Sequence, residues 1–134
     1  MAGTDAPTVL IVDDDLELLR QLHEAFLRAG FQVSLAVDGR QGLARFEAEA
    51  PDVVVTDIIM PTREGVETIL AMKKHRADAK IIAISGGWRV GPEAFLTLAR
   101  HVGADRVLPK PFRPSQLVEL ARELLKAEST EAGA

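Results

Sequence analysis

Val9-Leu10-Ile11-Val12 runs without a polar residue and is followed at once by Asp13-Asp14-Asp15. A continuous apolar run, as opposed to an alternating one, predicts a strand buried on both faces. Downstream, Leu18, Leu22, Ala25, Phe26 and Ala29 recur at helical spacing until Gly30, a suitable helix stop. Phe31 to Val37 then reads as a second strand. Strand, helix, strand is the unit of a parallel sheet, and the rest of the chain repeats it.

Gly42, Leu43 and Phe46 mark a second helix, and Pro51 precedes a third strand, Val53-Val54-Val55, that ends on Thr56-Asp57. A third helix carries Val66, Ile69 and Leu70. A fourth strand, Ile81-Ile82-Ala83-Ile84, runs into Ser85-Gly86-Gly87. Pro92 opens a fourth helix with Phe95, Leu98, Ala99 and Val102, which Gly103 stops, and Arg106-Val107-Leu108 forms a fifth strand before Pro109-Lys110-Pro111. Pro114, favoured in a first helical turn, opens a last helix with Leu117, Leu120, Ala121 and Leu124 on one face. The tail from Glu128 to Ala134 is small and polar and is expected to fray. Five strands and five helices in alternation predict an α/β, doubly wound, five-stranded parallel sheet flanked by five helices. The favoured strand order is 2-1-3-4-5.

The chain has 134 residues, 47% of them hydrophobic, enough for one core and one domain spanning 1–134, with an ordered part over about 8–127. A net charge of −4 and the absence of a Lys/Arg stripe argue against direct nucleic-acid binding. Without cysteine there is no disulfide, zinc-thiolate site or redox motif. No apolar run approaches a membrane span and Met1–Pro7 does not resemble a leader, so a cytoplasmic location is expected.

In an open α/β sheet, ligands sit beyond the carboxyl ends of the strands, where the strand order reverses. On that map Asp13-Asp14-Asp15 follows strand one, Asp57 ends strand three, Ser85 follows strand four and Lys110 follows strand five. Asp15 is read as a helix cap. Asp13, Asp14 and Asp57 would bring three carboxylates together, and at about 4 Å with an effective dielectric near 20 each like-charge pair costs on the order of 4 kcal/mol. A hard cation offsets that cost, and Mg²⁺ characteristically takes one or two carboxylates, waters and a phosphate oxygen. Asp57 is then a nucleophile toward a phosphoryl donor. Lys110 supplies a positive charge for Asp57 or its phosphate, and Ser85 a hydroxyl for a phosphate oxygen. Taken singly, each is ordinary surface or turn chemistry; it is the coincidence of four strand ends that points to a site.

Val12-Asp13-Asp14, Asp57-Ile58-Ile59-Met60-Pro61, Ile84-Ser85 and Leu108-Pro109-Lys110-Pro111-Phe112 resemble, in order, the motifs of the response-regulator receiver family of two-component signalling. The resemblance covers about residues 8–127 and implies the flavodoxin-like fold, from which the strand order is partly taken. It further implies that Asp57 is the phosphoacceptor and that Asp14, Asp57 and the backbone carbonyl of Ile59 ligate Mg²⁺, with Asp13 reaching it mainly through water. Ser85 would reorient toward the phosphate, Lys110 would pair with it, and Lys110-Pro111 would be a cis peptide.

Three departures stand out. The family's switch aromatic, three residues before the lysine, is here Val107, so readout takes another form. The stretch after Ser85, Gly86-Gly87-Trp88-Arg89-Val90-Gly91, is glycine-rich and slightly long, and Trp88 in it packs back over its own helix or anchors a partner. Ile59 is apolar where some receivers carry a polar group able to guide water, which predicts slow self-dephosphorylation. His23, His75 and His101 lie on predicted helices and are expected to face solvent.

The leading function is a phosphoacceptor switch that takes its phosphoryl group from a sensor histidine kinase or a histidine phosphotransfer protein and acts on a downstream protein target. It is not an enzyme beyond its own phosphotransfer and slow autodephosphorylation. A homodimer through the last two helices and the fifth strand is a family option that the charge pattern neither favours nor opposes. The alternatives are a docking pseudo-receiver that is never phosphorylated and an Asp57-nucleophile phosphohydrolase, which would want an acid where Ile59 stands. A flavodoxin-like nucleotide binder would need a phosphate-cradling loop after strand one, where three aspartates would repel phosphate.

Overall fold

The computed structural model describes residues 6–58, 64–85, 97 and 100–133, with side chains at 64 and 128–133 left aside. Ile59, Met60, Pro61, the Gly86–Gly91 stretch with Trp88, and Pro92, Phe95, Leu98 and Ala99 lie outside the described residues. The elements are β1 (Thr8–Val12), α1 (Leu16–Arg28), β2 (Gln32–Ala36), α2 (Gly39–Glu49), β3 (Val53–Asp57), α3 (Glu64–His75), β4 (Ile81–Ser85), β5 (Arg106–Pro109) and α4 (Pro114–Gly133). Of the helix expected after Pro92, Thr97 and 100–102 are described, and all are helical.

The five strands form one sheet in the order β2-β1-β3-β4-β5, with every pair parallel. Because strand side chains alternate between faces, the apolar runs feed two core layers. Val9, Ile11, Val53, Val55, Ile82 and Ile84 pack against α1 and α4. Leu10, Val12, Val54, Ile81 and Ala83 pack on the other face with Phe46 of α2, and Ile69 and Met72 of α3. β1, β3 and β4 are therefore buried almost throughout, which is why their sequences read as unbroken apolar runs.

Local signals set the boundaries that matter for the site. Asp15 caps α1 by accepting hydrogen bonds from the Glu17 and Leu18 N–H groups, both at 3.1 Å. The helix ends at Gly30, whose φ of 94° suits a residue without a Cβ. Phe31 N–H then closes back on the Phe26 carbonyl at 3.0 Å, and the two rings meet edge-on.

Of the residues that mark α3 in the sequence, Ile69 is buried and Leu70 is 49% exposed, while Thr68 and Met72 share the buried face. From Glu128 to Gly133 the chain is helical and continues α4, since Lys126, Ala127 and Glu128 favour a helix and nothing before Gly133 breaks it. His23 is half-buried, whereas His75 and His101 are exposed as expected.

Candidate functional site

The carboxyl ends of β1, β3, β4 and β5 face one edge of the sheet, and the side chains expected there arrive from separate strands. Asp13 directly follows β1, and its N–H donates to the Ala36 carbonyl of β2 at 3.1 Å. This extension of the sheet fixes a residue that is fully buried although charged. Its Oδ1 accepts from the Asp15 N–H at 2.8 Å, so one carboxylate oxygen is spent on the turn into α1. The other, Oδ2, accepts from Lys110 Nζ at 3.0 Å.

Asp57 is the last residue of β3 and 5% exposed. Its Oδ2 accepts from the same Lys110 Nζ at 2.9 Å. The next residue keeps the strand pairing going, with the Ile58 N–H donating to the Ile84 carbonyl at 3.0 Å. Ser85, fully buried, ends β4, and its carbonyl accepts from the Lys110 N–H at 2.6 Å. The lysine is thereby tied by main chain to the serine and by side chain to both aspartates. Lys110-Pro111 is a cis peptide, as the family resemblance implies.

The electrostatics follow from this three-way arrangement. Burial alone pushes the Lys110 ammonium toward losing its proton, but the hydrogen bonds and charges of Asp57, then Asp13, outweigh burial and hold its pKa above the ordinary lysine value. The repulsion that the sequence assigned to a cation is met here by Lys110.

The expected acidic cluster is smaller than three. Asp14 is exposed, Asp15 caps α1, and among the described residues no three His, Cys, Asp or Glu side chains gather as a metal-holding group. Asp13 and Asp57 nevertheless aim one oxygen each at a single cationic point. That donor set suits Mg²⁺, which keeps several waters and uses one or two carboxylates instead of a closed protein cage. Of the residues expected to hold it, Asp13 and Asp57 converge on this point, Asp14 is exposed next to Asp13 in sequence, and Ile59 lies outside the described residues. Val107, in place of the switch aromatic, is half-buried opposite Ala83 and packs against the layer that holds Val102.

Sequence spacing located the four strand ends but passed over the main-chain ties. The Ile84 and Ser85 carbonyls position Ile58 and Lys110, and no residue type signals that role.

Comparison with known proteins points the same way. A family model, response regulator receiver domain, matches residues 9–122. The transcriptional regulatory protein PrrA of Mycobacterium tuberculosis is 33% identical over 130 residues, 97% of this chain and 54% of that protein. The chain thus spans about half the length of such relatives. The chemotaxis protein CheY of Thermotoga maritima is 34% identical over 119 residues, covering 88% of this chain and 97% of that protein. Among solved structures, a CheY-like receiver domain protein from Methanospirillum hungatei superposes with a TM-score of 0.85 at 29% identity, covering 95% and 99% of the two chains. The CheX-CheY-BeF3-Mg complex of Borrelia burgdorferi gives a TM-score of 0.80 at 25% identity, covering 92% of this chain and 93% of that one.

Proposed function

The chain belongs to the response regulator receiver domain family, and from that premise we propose that it is a phosphoacceptor switch: a single receiver domain phosphorylated on Asp57 by a histidine kinase or histidine phosphotransfer protein. The observation that carries this reading is Lys110, held between Asp13 and Asp57 at 3.0 and 2.9 Å. A lysine that bonds the acceptor before reaction is placed to follow the negative charge onto the phosphoryl group afterwards.

In the proposed reaction an Asp57 carboxylate oxygen attacks phosphorus, and the bond to the donor's leaving atom breaks with its electron pair going to that atom. The leaving atom is an imidazole nitrogen for a phosphohistidine donor, or the acetate oxygen for acetyl phosphate. The product is an acyl phosphate on Asp57. Asp14, Asp57 and the Ile59 carbonyl would hold Mg²⁺, with Asp13 reaching it mainly through water, and the cation would neutralise charge on the transferring oxygens. Asp57 is supported as the nucleophile by its burial at the strand end, which excludes competing water. Lys110 transfers its hydrogen bond from the carboxylate to a phosphoryl oxygen, and Ser85 offers its hydroxyl to another.

The phosphoryl group carries about −1.5 to −2 charges, and because the Asp57 carboxylate gives up its own charge in the acyl phosphate, the site becomes more negative by about half to one charge. With Lys110 redirected, its main-chain bond to Ser85 links the change to the ends of β4 and β5, where a downstream protein would read it. The transcriptional and chemotaxis proteins among the relatives support a signalling output over a metabolic one.

The test is the intact mass after incubation with acetyl phosphate, with and without Mg²⁺, for wild type and Asp57→Asn. A gain of one phosphoryl group that needs both Mg²⁺ and Asp57 is the expected result. No gain in the wild type would leave a docking pseudo-receiver as the better account.

A further inference from the structure

Gly65 stands in the first turn of α3, where glycine has no conformational reason to be. Its φ is not positive, unlike those of Gly30 and Gly103. Inside a helix, glycine is a poorer former than any residue but proline. Space supplies the reason. A Cβ built on Gly65 would lie 2.6 Å from the Asp57 carbonyl oxygen, 2.8 Å from the Ile58 carbonyl oxygen and 3.0 Å from the Ile58 carbonyl carbon.

All three obstacles are main-chain atoms, so none can swing aside as a side-chain end would. They also belong to a segment that β4 holds. Asp57 pairs in register with Ile84, and the Ile58 N–H is bonded to the Ile84 carbonyl. The Asp57–Ile58 segment is thus held by β4 and met by the bare Cα of Gly65.

We propose that Gly65 is a positioning residue for the phosphoacceptor: by letting α3 seat directly on the main chain of Asp57 and Ile58, it sets the direction in which the Asp57 carboxylate meets Lys110 and the incoming phosphoryl group. The inference rests on the reading of Asp57 as the acceptor. Any side chain at position 65 must lift α3 or push this segment against β4, and an attack that needs close alignment is sensitive to either displacement.

Gly42 supplies the contrast. A Cβ there would lie 2.8 Å and 3.2 Å from the two methyl carbons of Val12, with no main-chain atom among its nearest contacts. Gly42→Ala therefore strains the core without pressing on the backbone of Asp57.

The experiment measures phosphorylation by acetyl phosphate in Mg²⁺ for wild type, Gly65→Ala and Gly42→Ala, with folding followed by circular dichroism and thermal melting. Gly65→Ala is expected to lower the rate at saturating acetyl phosphate roughly ten- to a hundredfold, while Gly42→Ala loses stability but keeps the wild-type rate. A wild-type rate in Gly65→Ala, or an equal loss in both variants, overturns the inference. If Gly65→Ala unfolds in plain buffer, the same comparison in sucrose, which favours the compact state, decides by the same criteria. A wild type that takes up no phosphoryl group overturns the acceptor reading and this inference with it. A competent wild type beside an unimpaired Gly65→Ala overturns this inference alone.

Discussion

Lys110 places one ammonium nitrogen 3.0 Å from a carboxylate oxygen of Asp13 and 2.9 Å from one of Asp57. Two aspartates with almost no solvent exposure share a single positive charge, and that charge comes from the residue that follows β5. Removing it leaves two like charges buried beside each other, so Lys110→Met is expected to cost roughly 1–3 kcal/mol at neutral pH without metal. Mg²⁺ should recover part of the loss by taking over the neutralisation. Urea unfolding in EDTA and in Mg²⁺ checks this; an equal deficit in both would mean that no cation replaces the lysine.

The same contact fixes a pH dependence. The folded-state pKa of Lys110 is raised above the ordinary value of 10.5, because Asp57 and Asp13 outweigh burial. A raised pKa means that the ammonium's stabilisation is fully present below the unfolded value and is lost as pH climbs through the folded one. The stability gap between wild type and Lys110→Met should therefore stay level from neutral to mildly alkaline pH and close above it. Thermal melts across that range would show the closure, and a gap that persists at the most alkaline pH would contradict it.

Asp13 and Asp15 separate turn chemistry from site chemistry. Asp13→Asn keeps an oxygen able to accept the Asp15 N–H and loses only the charge, so the fold should survive while Mg²⁺ binding weakens. Asp13→Ala loses the acceptor as well and should be less stable than the asparagine variant by about 1 kcal/mol. Asp15→Ala removes the α1 cap, at about 1 kcal/mol, and should leave the phosphorylation rate unchanged. Urea unfolding and calorimetric Mg²⁺ titration of the three variants distinguish these outcomes.

Much of this was legible in the sequence because burial on both faces leaves a plain mark. β1, β3 and β4 each carry an unbroken apolar run, so their ends, and with them Asp13, Asp57 and Ser85, could be placed without a structure. Lys110 was found by the same logic one strand later. What stayed hidden depends on direction and distance. Adjacent residues leave a strand pointing apart, so Asp13 is buried and Asp14 exposed although the two read alike. Ile69 and Leu70 likewise read alike, yet Ile69 is buried and Leu70 exposed, and a threonine, Thr68, occupies the buried face of α3. Gly65 is one glycine among ten in the sequence, and only the approach of α3 to the Asp57 carbonyl sets it apart.

The lifetime of the phosphoryl group follows from what surrounds the acceptor. Hydrolysis of an acyl phosphate requires a water in line with the bond to Asp57, held by a group that can hydrogen-bond it. Asp57 is buried, and Lys110, whose ammonium can only donate, is committed to carboxylate or phosphoryl oxygens. Two residues beyond the acceptor stands Ile59, whose side chain has neither donor nor acceptor. With no guiding group at position 59, the phosphorylated protein should persist well beyond seconds once acetyl phosphate is removed. Ile59→Asn introduces an amide able to orient that water and should shorten the half-life several-fold while leaving the rate of phosphorylation near that of the wild type. Intact-mass time courses after desalting measure both quantities. A wild-type half-life of only seconds, or an asparagine variant that decays no faster, would show that some other group already guides the water.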